Sequence, residues 1–302
     1  MAPLGDGGKN PARRSPLNNR HPRVASPMLR TAFLAGLTFA TALTTQGASD
    51  WRQKLHTRLG KHPAPRPLTA HYEFGWSGVK AADATARFTR SRDQLQLSLT
   101  ARTSGLARTL WRMDSVGVST VDARNLKPVK LEQTEKYSRK TIQTTVDFTK
   151  EGPRRLKVSS PADAQPPKAK TFKVAEVHDL HSALLFIRSQ RLATGDTVRL
   201  CVFPGGSPYY AEITVGARKK LKAAGREWDA IPCEIKLQGV SKEYDLEPHL
   251  KFKKAIAWLS DDADRLLLRI DADVFVGSIW AELSKVQFAA AGPAPIQRII
   301  PR

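Results

Sequence analysis

Short runs of alternating apolar and polar residues dominate the chain from Leu68 onwards. They are rich in β-branched and aromatic residues and are separated by turn residues such as Ser77-Gly78. A period of two is typical of antiparallel strands with one buried face, and another element must cover that face. We predict strands at residues 68–77, 80–90, 93–102, 112–121, 127–137, 140–149, 196–204, 207–217, 227–238, 252–260, 265–271 and 274–287.

One segment, HDLHSALLFIRSQRLATGD, has a helical pattern instead. Asp179 can cap its N-terminus, and Gly195 ends the segment. Its apolar stripe, which we expect to pack on the sheet, comprises Leu180, Ala183, Leu184 and Ile187. The predicted fold is therefore mainly β: a strongly curved antiparallel sheet, or an open barrel or sandwich, with one covering helix near 179–191.

The segment Met28–Ser49 has the pattern of a bacterial export signal. Arg30 supplies positive charge, residues 31–45 are uncharged and largely apolar, and small residues follow as a cleavage site. The apolar run is short and rich in threonine for a membrane span. We therefore predict a signal peptide at 28–48 and a periplasmic or secreted protein. Residues 1–27 are predicted to be disordered; either they lengthen the signal, or translation starts at Met28.

Composition divides the rest of the chain into three parts. We predict a linker or short helix outside the core at residues 49–66 and a single β-rich domain at residues 67–288. Residues 289–302 are predicted to form a flexible, proline-rich tail. Four prolines interrupt the alternation within residues 150–170, which predicts a mobile loop. No apolar run after the signal is long enough to cross a membrane, so we expect no stable transmembrane segment after cleavage.

The chain is strongly basic, with a net charge of +21. Residues 1–48 hold six basic residues and one acidic residue, so the exported part would keep +16. Export removes nucleic acid as a partner and leaves lipid or another anionic envelope component. Candidate contacts, which could equally form a solvated face, are Arg218, Lys219, Lys220, Lys222, Lys251, Lys253 and Lys254.

The two cysteines, Cys201 and Cys233, both lie in predicted strands. In an oxidising compartment such a pair is a disulfide candidate, provided that the two strands are neighbours. The bridge would contribute about 3 kcal/mol. The alternative is two separate buried thiols, because spacing alone does not reveal strand pairing.

No catalytic motif stands out, and no cofactor or metal is expected. His178 and His181 stand close enough to share a metal or to supply a base, but no third ligand is identifiable. The aspartates at 261, 262 and 264 lack the spacing of a calcium loop and fit a solvated hairpin turn. Tryptophans on an open barrel either fill the core or line a ligand pocket. The pocket candidates are Trp76, Trp111, Trp258 and Trp280.

Four runs resemble the landmarks of domain-of-unknown-function family 3108 (DUF3108), which groups exported bacterial proteins rich in β-structure. They are LTAHYEFGWSGVKAADATARF, the helical segment with Asp179, Phe186, Arg188 and Gly195, AIAWLSDDADRLLLRI, and VFVGSIWAELSKVQF. The resemblance spans roughly residues 66–288, with one departure: Leu266 and Leu267 stand where the family places a proline. It implies an exported antiparallel β protein without an assigned activity.

The curved sheet with a covering helix is also similar in outline to the lipoprotein-localisation carriers, which hold acyl chains in an apolar cavity. The sequence thus favours a non-catalytic envelope protein that binds an apolar or amphipathic ligand in a half-barrel. The alternatives are a structural or assembly partner in the envelope and, third, an envelope hydrolase with His178 or His181 as base.

Overall fold

The structure, a computed structural model, describes residues 50–161, 166–249, 252–274 and 277–289. The predicted signal peptide, the segment before it and nearly all of the predicted tail lie outside these residues. Within them the chain forms two α-helices, a 3-10 helix and a single mixed sheet. The predicted fold class, a mainly β protein with an open curved sheet, is confirmed.

The helices are α1 (Gly105–Leu110) and α2 (Leu180–Ser189), and the 3-10 helix is Trp51–Lys54. The strands are β1 (Leu68–Trp76), β2 (Val79–Arg90), β3 (Gln94–Thr103), β4 (Met113–Asp122), β5 (Pro128–Tyr137), β6 (Thr141–Thr149), β7 (Gly152–Ser160), β8 (Lys170–Thr171), β9 (Val177–His178), β10 (Thr197–Val202), β11 (Tyr209–Val215), β12 (Lys219–Ala223), β13 (Arg226–Val240), β14 (Leu246–Pro248), β15 (Phe252–Ser260), β16 (Leu267–Val274) and β17 (Ser278–Phe288).

The sheet is built outward from β1, which pairs with β2 on one side and with β17 on the other. Antiparallel neighbours follow in chain order from β2 to β8. In the other direction the order is β17, β16, β15, β13, β11 and β10. The short strand β9 pairs in parallel with β10 at the far edge. Every strand predicted from alternation overlaps an observed one.

The predicted mobile loop at 150–170 is wrong in its first half, because residues 152–160 form β7. Pro153 lies at the second position of this strand, where it pairs with Phe148. Its carbonyl oxygen accepts a hydrogen bond from the Phe172 backbone N–H at 3.0 Å. A proline near the start of a strand removes one donor without preventing pairing. Proline content alone was therefore a poor guide to this segment.

Helix α2 lies against the inner face of the sheet and is buried on more than one side. It contributes Leu185 to an apolar cluster with β1–β4, and Ala183 and Phe186 to a second cluster with β10, β11 and β13. The helix ends at Ser189, well before Gly195.

Of the stripe predicted to pack on the sheet, only Ala183 is fully buried. Leu180 is 64% exposed, and Leu184 and Ile187 are only partly buried. The side chains that are buried instead include polar ones, namely His181, Ser182, Arg188 and Ser189.

Two buried charged residues hold the ends of α2. Asp179 caps the N-terminus: its carboxylate accepts hydrogen bonds from the Ser182 backbone N–H at 2.7 Å and from the Ser119 hydroxyl on β4 at 2.5 Å. At the other end Arg265 donates to the backbone carbonyl of Arg188 at 2.5 Å and to those of Gln190 and Arg191. Both termini, whose backbone groups lack partners within the helix, are thereby satisfied.

The 3-10 helix near the N-terminus belongs to the core, which corrects the expectation that residues 49–66 stay outside it. The Trp51 side chain is buried in a third apolar cluster with Val146 and Phe203. Its indole Nε1 donates to the Tyr244 carbonyl at 2.8 Å. The following residues bind the edge of β10, where the His56 backbone N–H donates to the Arg199 carbonyl at 2.8 Å.

We predict that Arg265→Met lowers the free energy of unfolding by about 3 kcal/mol, because it leaves carbonyl groups at the buried end of α2 without a donor. Urea denaturation followed by circular dichroism measures the change. The control is Arg191→Met, because the Arg191 side chain is exposed and its ion pair is with Asp196. We expect this substitution to change the free energy of unfolding by no more than about 0.5 kcal/mol. Equal effects of the two substitutions would show that Arg265 does not anchor the helix.

Candidate functional site

The four candidate tryptophans do not converge on one pocket. Trp76 and Trp111 are more than half exposed, at the β1–β2 turn and at the end of α1. Trp280 lies directly over Gly75, where a Cβ atom would come within 2.2 Å of the indole ring. The Trp258 indole Nε1 donates to the Asp271 carboxylate at 3.1 Å. The structure therefore separates two exposed tryptophans from two that are packed against the sheet.

The two cysteines are free, which corrects the disulfide prediction. Cys201 lies opposite Tyr210 of β11, and Cys233 lies opposite Val215 of the same strand. They thus flank β11 and are offset by five residues along it, about 16 Å at 3.3 Å per residue. Bridging requires Cα atoms within about 7 Å. The alternative of two separate buried thiols is the one that the structure shows.

The two histidines at the start of α2 are both buried. The His178 Nδ1 lies 3.3 Å from the Ser182 hydroxyl, and its ring packs 5.1 Å from that of Phe186. The His181 ring packs edge-on against Phe88 at 5.8 Å. Burial lowers the pKa of His178 to about 4 and that of His181 to about 3. Both rings are therefore neutral at neutral pH.

The metal and calcium interpretations find no support in the described ranges, which contain no group of three or more His, Cys, Asp or Glu side chains able to hold an ion. Asp262 instead organises the β15–β16 turn by accepting from the backbone N–H groups of Asp264 and Arg265. Asp264 is buried and pairs with Arg66 at 2.6 Å. Asp261 and Asp262 are exposed, as expected of a solvated turn, whereas Asp264 is buried and has a structural role.

Arg188 is a buried cation on the inner side of α2. Its Nε and Nη2 atoms have no hydrogen-bond partner within the described part of the chain, and burial lowers its pKa to about 10. Tyr72, whose hydroxyl donates to the Leu267 carbonyl at 2.9 Å, and Asp264 both influence this guanidinium electrostatically. The sequence marked Arg188 only through the family resemblance.

The concave face of the sheet is incompletely covered by α2. On β3, alternation places Leu95, Leu97 and Leu99 on one face, and the pairing of β3 with its neighbours has no irregularity. Leu95 is only 1% exposed and, like Leu97, belongs to the cluster that contains Leu185 of α2. Leu99 is 38% exposed. Apolar surface therefore remains open on the inner face beyond the helix, at a residue that the sequence analysis did not single out.

The N-terminus of α2 lies close to this open surface and carries one exposed side chain, Leu180. Asp179 is bound to Ser119, which pairs with Leu97 across β3 and β4. The next residue, Leu180, is therefore near β4, one strand away from Leu99. Two apolar side chains, one on the helix and one on the strand, thus stay uncovered in the same part of the half-barrel.

A family model for proteins of unknown function, DUF3108, matches residues 69–284. The chain belongs to this family. The match confirms the resemblance seen in the sequence, and several residues that carry it meet around α2: Asp179 caps the helix, Phe186 and Arg188 are buried on it, and Arg265 binds its last carbonyls.

Comparison with one solved structure supports the fold. A beta-barrel-like protein of the DUF1849 family from Brucella abortus superimposes with a TM-score of 0.51 at 10% sequence identity, covering 75% of this chain and 99% of its own. A protein inferred to be exported, with a YmcC-like fold, from Bacteroides fragilis gives a TM-score of 0.30 at 7% identity, covering 76% and 100%. No curated protein matches the sequence. Among the residues described, no helix has the length and hydropathy of a membrane span.

We predict an acid-sensitive fold. Between about pH 6.5 and 4 the unfolded chain binds a proton at each of His178 and His181, whereas the folded chain does not. The free energy of unfolding is therefore highest with respect to these two histidines above pH 6.5. Below pH 6.5 it falls by about 1.4 kcal/mol per pH unit for each histidine. Burial raises the pKa of Asp179, so its protonation acts in the opposite direction at low pH.

His181→Phe tests this dependence, since the ring packs against Phe88 and neither nitrogen has a partner among the described residues. The free energy of unfolding, measured by urea denaturation at pH 7.5 and pH 5, should depend less steeply on pH in this variant. The difference should correspond to about one proton fewer taken up on unfolding. A pH dependence identical to that of the natural protein would contradict the assignment.

We also predict that both thiols resist Ellman's reagent in the native protein and react after denaturation. Burial raises the pKa of Cys201 to about 12 and that of Cys233 to about 11, and the thiolate is the reactive form. Rapid reaction without denaturant would contradict the structure. So would an intact-protein mass two hydrogens below that of the reduced chain, because it would indicate a disulfide.

Proposed function

We propose that this protein is an exported, non-catalytic component of the bacterial envelope that binds an amphipathic ligand on the concave face of its half-barrel. The observation that carries the proposal is the exposure of Leu99 on the inner face of β3, beside strand residues that α2 covers. Export rests on the signal-like segment Met28–Ser49.

The chemistry of the open surface favours an apolar chain rather than a polar solute. Leu99 pairs with Ala86 on β2 and with Gly117 on β4, which are small residues that leave room above the sheet. Leu180 adds an exposed aliphatic side chain from the helix. Apolar area that a fold leaves uncovered gains about 25 cal/mol per Å² when a ligand covers it.

The polar part of such a ligand would contact the surface of a strongly basic protein. The net charge of +16 that remains after export favours an anionic headgroup, because opposite charges attract at the protein surface. The expected ligand class is therefore an anionic lipid with at least one free acyl chain, rather than a neutral hydrocarbon.

The test uses protein purified without detergent after export from the full-length gene. Binding of a fluorescent palmitoyl lysophosphatidylglycerol is titrated, and co-purified lipid is identified by mass spectrometry of an organic extract. We expect Leu99→Asp to weaken binding at least about tenfold, because a carboxylate would replace an apolar contact.

Leu156→Asp is the matched control. Leu156 is 39% exposed, but it pairs with Thr145 and so lies on the face opposite to that of the buried Val146. Its substitution should leave the titration unchanged. No binding by the natural protein, or equal loss in both variants, would refute a ligand on the concave face.

A further inference from the structure

Exposed apolar side chains gather along one rim of the sheet. We define the apolar rim as Trp76, Val79, Leu106, Leu110, Trp111 and Ile279, each of which is at least 41% exposed. Helix α1, which supplies two of these residues, has no buried residue at all. A contiguous exposed patch of this kind marks an interaction site in a soluble protein.

The strand pairing shows that these residues are neighbours. Trp76 lies opposite Ile279 on β17 and opposite Val79 on β2. The Ser104 backbone N–H, just before α1, donates to the Ala81 carbonyl at 2.9 Å, which places α1 beside the start of β2. The rim therefore extends from β17 across β1 and β2 to the neighbouring α1.

The rim continues towards the turn between β5 and β6. The Trp111 ring lies 6.1 Å from that of Tyr137, the last residue of β5. Tryptophan and tyrosine combine an apolar ring with a polar atom, so they are favoured where hydrocarbon meets water. The rim thus has the aromatic composition of a membrane-interface surface.

Cations border the apolar rim. Arg108 and Lys80 are held by ion pairs, to Asp114 and to Glu73 and Asp83. Four others are exposed and form no ion pair with any described residue: Arg102, Arg112, Lys136 and Arg139. Unpaired cations beside exposed tryptophan and leucine are complementary to anionic headgroups above an acyl layer.

We propose that the apolar rim docks this protein on the surface of an anionic phospholipid bilayer. The aromatic and aliphatic side chains enter the interface while the four unpaired cations contact the headgroups. This docking goes beyond the proposed ligand binding and does not depend on it, because the rim and the concave surface at Leu99 use different residues.

The experiment measures co-flotation of the exported protein with vesicles of phosphatidylglycerol and phosphatidylethanolamine, and with vesicles of phosphatidylcholine alone. We expect binding to the anionic vesicles, with a blue shift of tryptophan emission, and little binding to the neutral ones. Each cation removed should weaken binding about fivefold. Arg112→Glu with Lys136→Glu should therefore reduce affinity at least about 25-fold, and Leu110→Ser with Trp111→Ser should weaken vesicle binding and reduce the blue shift, which Trp76 then reports alone.

Two matched controls separate the rim from the rest of the surface. Lys219→Glu with Lys222→Glu makes the same charge change in the basic cluster on β12, and Leu156→Ser removes an equally apolar side chain from β7. Both should bind vesicles like the natural protein. Circular dichroism confirms that each variant is folded.

The outcomes are decisive in both directions. Loss of vesicle binding in the two rim variants alone supports the proposal. Failure of the natural protein to bind anionic vesicles, equal binding to neutral vesicles, or loss only in the Lys219/Lys222 variant overturns it. Leu99→Asp should still bind vesicles, so failure of lipid uptake and failure of docking can be told apart.

Discussion

The hydrogen bonds from Arg265 to the last carbonyls of α2 fix the helix inside the curved sheet, and much of the fold depends on that placement. A helix terminus buried without donors is unstable. Because Asp179 secures the opposite end to Ser119 on β4, the helix bridges β4 and the β15–β16 turn. Strands far apart in the chain are thereby joined through one short element.

This placement has a cost, because polar groups enter the interior with the helix. Arg188 and His181 are buried on the same side, two turns apart, and burial favours the uncharged form of each. The buried apolar residues Leu185 and Phe186 offset that cost by joining two separate clusters. The helix therefore packs against both of these clusters, and we expect acid to loosen that packing.

The sequence predicted the strands well, because residues such as Leu95, Leu97 and Leu99 repeat with the period that a one-sided sheet requires. It located α2 and its Asp179 cap but not the face that is buried, since an apolar stripe predicts burial only when one side of a helix is covered, and here the sheet curves around it. It failed for the cysteines because the order β10, β11, β13 is a long-range property that spacing does not encode. The exposure of Trp76 and Trp111 likewise depends on what packs near each strand end.

The open part of the concave face and the apolar rim lie towards the same end of β3. The strand runs from Leu95, which α2 covers, through Leu99 to Thr103, and α1 follows directly. At about 3.3 Å per residue, Leu99 is about 13 Å from that strand end, a distance that an acyl chain can span. Under the two proposals, a bilayer docked at the rim therefore lies near the end of β3 that leads to the open surface at Leu99.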